Sequence, residues 1–458
     1  MNILIGSLGN IRRYREVNYL IKDQEKETAG KFLPKVLIEH FNIDFAGYFL
    51  TDTLVQNFKN NYHEMFNNIK DLHLKFFKDK NVENVKIHIM PGVGNYKEGQ
   101  FVGNMADAYY VALAELYKMF ISDEVIKSDE IKVVLDISLG INYQLNILYR
   151  ALMDILPIIA YFKKVKFIVT NSEPALGIND KLDVFIHIIE EKEINQDINH
   201  LDNYKKKFLT ILSTLIKSKK EEIGKNFIAP FEEEIRNIIK SRCINDIFVN
   251  VENLIKSVFY GLPLLFIVSY KNINYSRVID KILEYYYKAI EINEKERKVI
   301  RNLEFGDGLK YLIFSELFVE YFRKLFGELN ATKISYEKLL ELSDFIWKIN
   351  EGKERKNQIS AFLRKDLYEL KECFKFLKEN VTEPYDYEKF KRMRLNEEKE
   401  VDKKVKDIKS KKSQSDENRN FLAHSSLSNN TFELLKENST VYLKLNIEEI
   451  IKVSKNIN

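Results

Sequence analysis

The stretch "KVVLDISLGINYQ", Lys132–Gln144, decides how the first part of this chain folds. Its apolar run is β-branched and does not alternate with polar residues, which is typical of a strand buried on both faces of a parallel sheet. A loop that carries Asp136, Ser138, Gly140 and Asn142 follows the run, and a helical pattern starts directly after the loop. A strand, a glycine-bearing loop and a helix in this order predict part of a βαβ unit.

The same alternation of strands and helices extends along the chain to about residue 195. Strands joined by helices imply right-handed crossovers, so we predict a doubly wound, Rossmann-like parallel sheet. The predicted strands are Asn2–Gly6, Phe45–Leu54, Val85–Pro91, Ile131–Ile137, Val165–Thr170 and Asp183–Glu190, and the clearest predicted helices are Met105–Met119 and Tyr143–Phe162.

Beyond residue 195, apolar residues recur every three or four positions, and glycine and proline are sparse. This pattern predicts an essentially all-helical second half. The predicted fold class is α/β plus all-α, with an α/β domain at 1–195, a helical connector at 196–295 and a helical domain at 296–458. The helices expected in the second half are Tyr204–Lys217, Tyr275–Ile292, Gly308–Phe326, Tyr336–Ile349 and Gln358–Asn380.

The composition limits the class of protein. Hydrophobic residues make up 45% of the 458, which is enough to build packed cores. Lys+Arg 72 and Asp+Glu 68 nearly cancel to a net charge of +4, so any surface that binds nucleic acid has to be local. Lys389–Lys412, with eleven basic and five acidic residues, is one such place, and a solvated linker is the alternative interpretation.

The cellular compartment is also predicted from the sequence. The two cysteines, Cys243 and Cys373, lie far apart and outside any C-x-x-C pattern, which indicates a reducing compartment. Met1 leads directly into a predicted strand rather than into a secretion signal. The apolar segments are too short or too interrupted to span a bilayer. We therefore expect a soluble, cytoplasmic protein that does not associate with membranes.

Three predicted strands end in loops of one kind. Ser7, Gly9 and Asn10 follow the first strand, Gly92–Asn95 follows the third, and Asp136–Asn142 follows the fourth. Ligands bind outside the carboxyl ends of the strands in open α/β sheets. Glycine there lets a ligand approach the backbone, and helix N-termini bind anions such as phosphate. Each loop by itself is explained as an ordinary turn, but the three together indicate a phosphate-bearing ligand.

The loops match neither the G-x-G-x-x-G pattern of dinucleotide-binding domains nor the phosphate loop of nucleotide triphosphatases. Instead, "ILIGSLGN" at the first strand and "VVLDISLGINYQ" at the fourth resemble the CARF sensor domain of ancillary ribonucleases from type III CRISPR systems. The resemblance implies a dimeric domain that binds cyclic oligoadenylate, most often the tetramer. It assigns ligand contact to Ser7, Leu8, Gly9, Asn10, Asp136, Ser138, Leu139, Gly140, Ile141 and Asn142.

One position departs from the family pattern. The fourth-strand segment of the family usually carries a histidine where this chain has Leu139. Leucine has no ring nitrogen with which to bond a phosphate or a base edge. The sequence therefore leaves open the ring size of the ligand and whether the sensor cleaves it. Asp136 is expected to cap the turn rather than to contact an anionic ligand directly.

A second motif, "NRNFLAHSSL", Asn418–Leu427, lies near the end of the chain. RNA is cut without a metal ion when its own 2′-hydroxyl attacks the neighbouring phosphate. Histidine can carry the proton in this reaction because its pKa is near neutral, and arginine can stabilise charge on the phosphate oxygens. His424 is preceded five residues earlier by Arg419. By itself, the pair is better explained as two surface residues of an amphipathic helix.

The spacing of the motif predicts a second copy of the chain. On a regular helix Asn420 and His424 lie on one face, because they are four residues apart. Arg419 would point roughly 140° away from His424, at about 100° per residue. Either the helix is broken near the motif or another chain completes the site. A two-fold dimer that places two motifs face to face satisfies the chemistry.

The R-x-x-x-x-H spacing resembles that of HEPN ribonucleases, which follow the CARF domain in the same enzymes. The resemblance assigns Arg419 to phosphate stabilisation, Asn420 to polar support and His424 to proton transfer. The predicted function is a homodimeric or higher-oligomeric endoribonuclease of antiviral defence. It would cut single-stranded RNA without metal or cofactor, with cyclic oligoadenylate as allosteric activator. A ligand-responsive regulator or RNA-binding scaffold without cleavage, and a toxin-like ribonuclease restrained by a partner protein, are the alternatives.

Overall fold

The computed structural model describes residues 1–14, 16–22, 26–59, 61–174, 183–197, 209–211, 221–348, 358–374, 385–386, 427, 431–437 and 440–455. The strands are β1 (Asn2–Ser7), β2 (Asn18–Lys22), β3 (Glu27–Gly30), β4 (Phe45–Thr51), β5 (Val85–Met90), β6 (Gly94–Asn95), β7 (Gln100–Val102), β8 (Glu130–Asp136), β9 (Lys164–Ser172), β10 (Asp183–Glu193), β11 (Leu209–Ile211), β12 (Ile290–Asn293), β13 (Lys298–Arg301), β14 (Leu303–Phe305), β15 (Lys333–Ser335), β16 (Tyr385–Asp386), β17 (Phe432–Glu437) and β18 (Thr440–Leu445).

The α-helices are α1 (Leu33–Phe41), α2 (Tyr62–Asp79), α3 (Asp107–Phe120), α4 (Asp123–Lys127), α5 (Asn142–Ile159), α6 (Ala229–Ile239), α7 (Asn245–Tyr260), α8 (Pro263–Tyr270), α9 (Ser276–Lys288), α10 (Gly308–Phe326), α11 (Tyr336–Trp347), α12 (Gln358–Cys373) and α13 (Ile447–Ser454). In the part of the chain that the structure describes, none of the helices is both long and apolar enough to cross a bilayer.

The largest sheet has eight strands in the order β3-β2-β10-β9-β8-β1-β4-β5. The five strands from β9 to β5 are mutually parallel. In chain order, β4 and β5 are added on one side of β1, and β8 and β9 are then added on its other side. This is the doubly wound order, in which the direction of winding reverses between β1 and β8. The Rossmann-like parallel sheet predicted from the sequence is confirmed.

Helices cover both faces of the sheet. Leu37 of α1 and Phe77 of α2 pack with Tyr48 of β4 in one buried cluster. On the opposite face, a Cβ atom added to Gly47 of β4 would lie 2.6 Å from Met119 Cε of α3, which shows how closely this helix packs on the sheet. The central strands are therefore buried on both sides, which explains why their sequences are continuous apolar runs.

The two strands at one side of the eight-stranded sheet were not predicted. All six predicted strands form, with small shifts at their ends, but β2 and β3 were missed. Both strands, NYLIK and ETAG, are short and only partly buried, and ETAG contains no large apolar residue. β3 lies at the sheet edge, where a strand needs less apolar surface. The resulting sequence signal is weak.

The second half of the chain contains strands as well as the predicted helices. The helix predicted at Tyr275–Ile292 ends at Lys288, and the following residues form the hairpin β12–β13. β13 pairs in parallel with β7, which gives a four-stranded sheet in the order β12-β13-β7-β6. The sequences IEIN and KVIR are only four residues long, and KVIR does not alternate apolar and polar residues, so neither strand stands out beside a long helical pattern.

A further strand lies within the predicted helix Tyr204–Lys217. Leu209–Ile211 pairs with β14 in an antiparallel ladder, and Leu209 is buried. The other residues of that predicted helix lie outside the described ones. Packing of this short segment against β14 replaces the helical preference of its sequence, because tertiary contacts override a weak local propensity.

Two compact units make up the chain: Met1–Ile244 with Tyr275–Tyr321, and Asn245–Asn274 with Phe322–Asn458. The first unit contains the eight-stranded sheet and the β12–β13 hairpin. The second unit packs Phe266 against Phe322 and Trp347, and Trp347 Nε1 donates to Val258 O at 2.8 Å. It also contains the sheet β15-β18-β17-β16. The domain boundaries predicted at residues 195 and 295 stay predictions.

Candidate functional site

The loops after β1 and β8 meet at Ser7 and Gly140. A Cβ atom added to Gly140 would lie 2.5 Å from Ser7 Oγ and 2.9 Å from Ser7 Cβ. Gly140 also has a φ of +118°, a backbone conformation that residues with side chains rarely adopt. The available space and the backbone therefore both require glycine. Two of the loops predicted from the sequence are brought together where the strand order reverses.

Asp136, the last residue of β8, is buried and organises the loop that follows it. Its Oδ1 accepts hydrogen bonds from Ser138 Oγ at 2.5 Å, Ser138 N at 3.2 Å and Thr170 Oγ1 at 3.4 Å. Ser138 Oγ accepts from Ser172 N at 2.8 Å, which ties the loop to β9. Burial raises the pKa of Asp136 to about 6, although these hydrogen bonds oppose the shift. Asp136 thus caps the turn, as expected.

Helix α5 begins inside the fourth-strand loop. Asn142 is its first residue, and Ile141 before it provides no side-chain cap. Gln144 is buried, and its Nε2 donates to Phe49 O at 2.5 Å, which fixes the first turn of α5 against the end of β4. Backbone amides in the first turn of a helix carry partial positive charge and bind anions. The start of α5 therefore adds positive potential beside the contact of Ser7 with the loop.

The predicted residues of the first-strand loop differ in burial. Leu8 belongs to the hydrophobic core, whereas Gly9 and Asn10 are partly exposed. Asn10 Oδ1 accepts from Arg12 N at 3.1 Å and caps a short 3-10 turn. Gly9 O lies 3.3 Å from Nε2 of His73, whose pKa is lowered by burial. The His73 ring thus lies against the loop, and Gly9 and Asn10 remain partly exposed.

The predicted residues of the fourth-strand loop, apart from the buried Asp136, are exposed or half-buried. Gly140 and Asn142 are exposed, and Ser138, Leu139 and Ile141 are half-buried. Leu139 packs against the core cluster that also contains Leu8. The position at which the CARF family usually carries a histidine is therefore partly apolar packing surface in this protein.

The third predicted loop, Gly92–Tyr96, lies at the start of α5. Burial, together with the neighbouring Tyr96, raises the pKa of Tyr143 in the first turn of that helix. Gly94 has a φ of +133°, and a Cβ atom on Gly92 would lie 2.3 Å from Thr53 Cγ2. The glycines of this loop are thus required by its conformation and packing. All three loops predicted from the sequence converge on the beginning of α5.

Two buried charged residues that the sequence analysis missed hold this third loop. Asp52 Oδ1 accepts from Gly92 N at 2.7 Å, and Arg301 Nη1 donates to Gly92 O at 2.8 Å. Asp52 and Arg301 also form an ion pair with each other, and both side chains are 0% exposed. Asp52 lies inside the predicted strand Phe45–Leu54, directly after the observed β4, and could have been singled out there. Arg301 gave no signal, because it lies 249 residues further along the chain.

The site offers groups suited to an anionic ligand. Ser7 Oγ is buried and makes no hydrogen bond to the other residues that the structure describes. Arg12 and Arg13 are exposed immediately after the first-strand loop. With the first turn of α5, these groups provide hydroxyl and cationic partners for phosphate oxygens. In the described residues no group of three or more His, Cys, Asp or Glu is arranged to hold a metal ion.

The second predicted site, Arg419, Asn420 and His424, lies outside the described residues, as does Lys389–Lys412. Leu427, the last residue of the same quoted stretch, is described and is buried. The catalytic roles of the three residues, and the metal independence of the reaction, stay predictions.

Comparisons with known proteins agree with the motifs. Residues 3–174 match a family model described as "CRISPR system endoribonuclease Csx1, CARF domain". The chain is 28% identical over 371 residues to the "CRISPR system endoribonuclease Csx1" of Methanocaldococcus jannaschii, an alignment that covers 78% of this chain and 75% of that protein.

A solved structure, Enterococcus italicus Csm6 bound to cyclic hexa-2'-fluoro-hexa-dAMP, aligns with 99% of this chain and 92% of its own, at 11% identity. Its TM-score of 0.25 is too low to carry an argument. The family match, in contrast, includes both loops that meet at Ser7 and Gly140. The resemblance seen in the sequence is thereby confirmed: residues 3–174 match the CARF domain model of Csx1 endoribonucleases, in a chain that is similar to a Csx1 endoribonuclease over most of its length.

Proposed function

We propose that this protein is a CRISPR-associated endoribonuclease that cuts single-stranded RNA when cyclic oligoadenylate binds its CARF domain. The observation that carries the proposal is the meeting of the Ser7 and Gly140 loops where the strand order reverses, within the segment that matches the CARF family. Similarity to a protein named as a CRISPR endoribonuclease supports RNA cleavage. We place the reaction in the cytoplasm, with antiviral defence as its role.

The proposed ligand is cyclic tetra-adenylate, bound as an activator. Its phosphates would be held by the first turn of α5 and by Ser7 Oγ, which are anion-binding and hydrogen-bonding groups. Gly9, Gly140 and Asn142 border the same place and are at least partly exposed. Leu139, in the place of the family's usual histidine, gives apolar contact with a base or ribose instead of a hydrogen bond. Leu8 supports the site as part of the hydrophobic core, and Asp136 supports it by capping the turn.

The proposed chemistry is attack of the RNA 2′-hydroxyl on the adjacent phosphate. The 2′-oxygen forms a bond to phosphorus while the bond from phosphorus to the 5′-oxygen breaks, which leaves a 2′,3′-cyclic phosphate and a 5′-hydroxyl. His424 carries the proton between these oxygens, and Arg419 stabilises the charge that develops on the phosphate. Asn420, four residues before His424 in the sequence, is proposed to orient the imidazole. The reaction is proposed to need no metal ion.

The proposed active form is a homodimer, because Arg419 and His424 diverge on a straight helix. Each chain would contribute groups to a shared RNA site. Activation by a ligand requires that cyclic oligoadenylate binds the active arrangement of the dimer more tightly than the inactive one.

Purified protein incubated with labelled single-stranded RNA tests the function. Reactions without ligand, and with cyclic tri-, tetra- or hexa-adenylate, are compared in the presence of EDTA. Cleavage that depends on the tetramer supports the proposal in full. Binding of ligand without cleavage contradicts the ribonuclease assignment and favours a regulator. Equal cleavage with and without ligand contradicts the sensor and favours a ribonuclease restrained by a protein partner.

A further inference from the structure

Both backbone groups of Gly92 are held by buried charged side chains. Asp52 accepts from its N–H, and Arg301 donates to its carbonyl oxygen. Tyr62 Oη donates to the second oxygen of Asp52 at 2.6 Å, the oxygen that also pairs with Arg301. A guanidinium can make such bonds to two different acceptors because its donors form a rigid planar fork. The loop after β5 is thus fixed by one arginine from a distant segment.

The same loop belongs to a sheet with the hairpin that supplies the arginine. β6 within the loop pairs with β7, and β7 pairs with β13, whose last residue is Arg301. Phe101 of β7 and Val299 of β13 are opposite each other in the ladder, and both are buried. They lie in the core cluster to which Leu8 belongs and against which Leu139 packs. The Gly92–Tyr96 loop, the β12–β13 hairpin and the core beneath the proposed ligand site are therefore packed together.

We infer that Arg301 is a positioning residue of the ligand site, which links the Gly92–Tyr96 loop to the hairpin Ile290–Arg301. The inference rests on the proposed function, because it takes cyclic oligoadenylate as the molecule that binds beside this loop. When ligand binding orders the loop, Arg301 transmits the ordering to β13, because its guanidinium bonds to Gly92 O and Arg301 is the last residue of β13. By thermodynamic reciprocity, loosening the fork weakens ligand binding.

The test uses Arg301→Lys in the full-length protein. Lysine keeps a positive charge beside Asp52, so the buried carboxylate is not left unpaired, but it cannot hold Asp52 and Gly92 O in the same planar geometry. The matched control is Arg297→Lys, an exposed arginine in the turn of the same hairpin. Hydrogen–deuterium exchange is measured with and without cyclic tetra-adenylate, and RNA cleavage is titrated with the same ligand.

In the unchanged protein and the control, ligand slows exchange in the Asp136–Asn142 loop and also in β13. In Arg301→Lys, protection of Asp136–Asn142 persists at saturating ligand and protection of β13 is lost. The ligand concentration for half-maximal cleavage rises about tenfold, equivalent to about 1.4 kcal/mol. A purely structural role would lower thermal stability without separating these two segments.

Two outcomes overturn the inference and leave the proposed function intact: protection of Asp136–Asn142 without protection of β13 in the unchanged protein, or an unaltered response of β13 in Arg301→Lys. If cyclic tetra-adenylate protects neither segment in the unchanged protein, the ligand assignment itself is wrong and the inference fails with it.

Discussion

At the residue scale, the closest constraint on the site is the approach of Gly140 to Ser7. The loop after β8 can reach the end of β1 only because position 140 has no side chain and accepts a positive φ. The same contact brings the buried hydroxyl of Ser7 to the place where the loops converge. A single carbon atom added at position 140 would therefore disturb the contact between the two loops.

Replacement of Gly140 by alanine is expected to destabilise the protein by about 1–3 kcal/mol, from backbone strain and the clash with Ser7. Gly9→Ala is the matched control in the adjacent loop, because a Cβ atom there meets nothing within 4 Å. Its effect is expected to stay within about 0.5 kcal/mol. Urea unfolding of the two variants measures the difference, and equal stabilities would show that the loops do not meet as described.

The raised pKa of Asp136 predicts that the stability of the folded protein depends on pH. Its pKa is raised from 3.8 to about 6 in the folded protein, mainly by burial. The folded state therefore binds more protons than the unfolded state between about pH 4 and 6, so the contribution of Asp136 to stability increases as pH falls through that window.

Asp136→Asn keeps an acceptor for Ser138 and removes the titration. The free energy of unfolding of the unchanged protein minus that of the variant should increase by up to roughly 3 kcal/mol between pH 7 and pH 4, at about 1.4 kcal/mol per pKa unit. Urea unfolding across this range measures the difference. A difference that does not vary with pH would mean that the carboxyl group is not buried in the folded protein.

Individual residues were predictable where their roles are local. Gly140 and Asp136 lie in one short stretch whose turn chemistry requires glycine and a capping carboxylate, so the sequence identified both. Ser7 was identified from its own loop. Arg301 was not, because its role depends on a contact with Asp52 that only the folded chain creates.

At the element scale, the site depends on how α5 is placed against the sheet. Gln144 connects the first turn of α5 to Phe49 O at the end of β4, and all three loops lie at this end of the helix. The strands themselves were predictable, because burial on both faces requires continuous apolar runs. The hairpin β12–β13 was not, because strands of four residues each carry little signal after a strongly amphipathic helix.

Gln144→Leu is expected to lower the free energy of unfolding by about 1–3 kcal/mol, because it removes a buried donor and leaves an amide carbonyl without that partner. Asn146→Ala is the control on the same helix, since Asn146 is exposed and bonds only to the preceding turn. Chemical denaturation of both variants provides the comparison. An effect of Gln144→Leu no larger than that of Asn146→Ala would contradict the anchoring role of Gln144.

At the scale of the whole molecule, the sequence predicted the fold class and the resemblance to the CARF domain from motifs at the carboxyl ends of two neighbouring strands, β1 and β8. Catalysis by the second half was predicted only through a short motif and stays a prediction, since Arg419 and His424 carry no fold information and their spacing is common in a chain rich in basic residues. The divergence of the two residues on a helix led to the proposal that two chains complete one site.

A homodimer should therefore appear in solution as twice the chain mass of 54.2 kDa, measured by light scattering coupled to size-exclusion chromatography. Mixing Arg419→Ala chains with His424→Ala chains should restore part of the activity, because a mixed dimer contains an intact arginine from one chain and an intact histidine from the other. A fully active monomer would be inconsistent with a shared site.

The most direct test of the central claim is the rate of RNA cleavage by His424→Ala at saturating cyclic tetra-adenylate, with exposed His63→Ala as the control. The predicted result is a loss of at least about 100-fold, with unchanged ligand affinity, in His424→Ala and an unaltered rate in the control. Cleavage by His424→Ala at the rate of the unchanged protein would contradict the account.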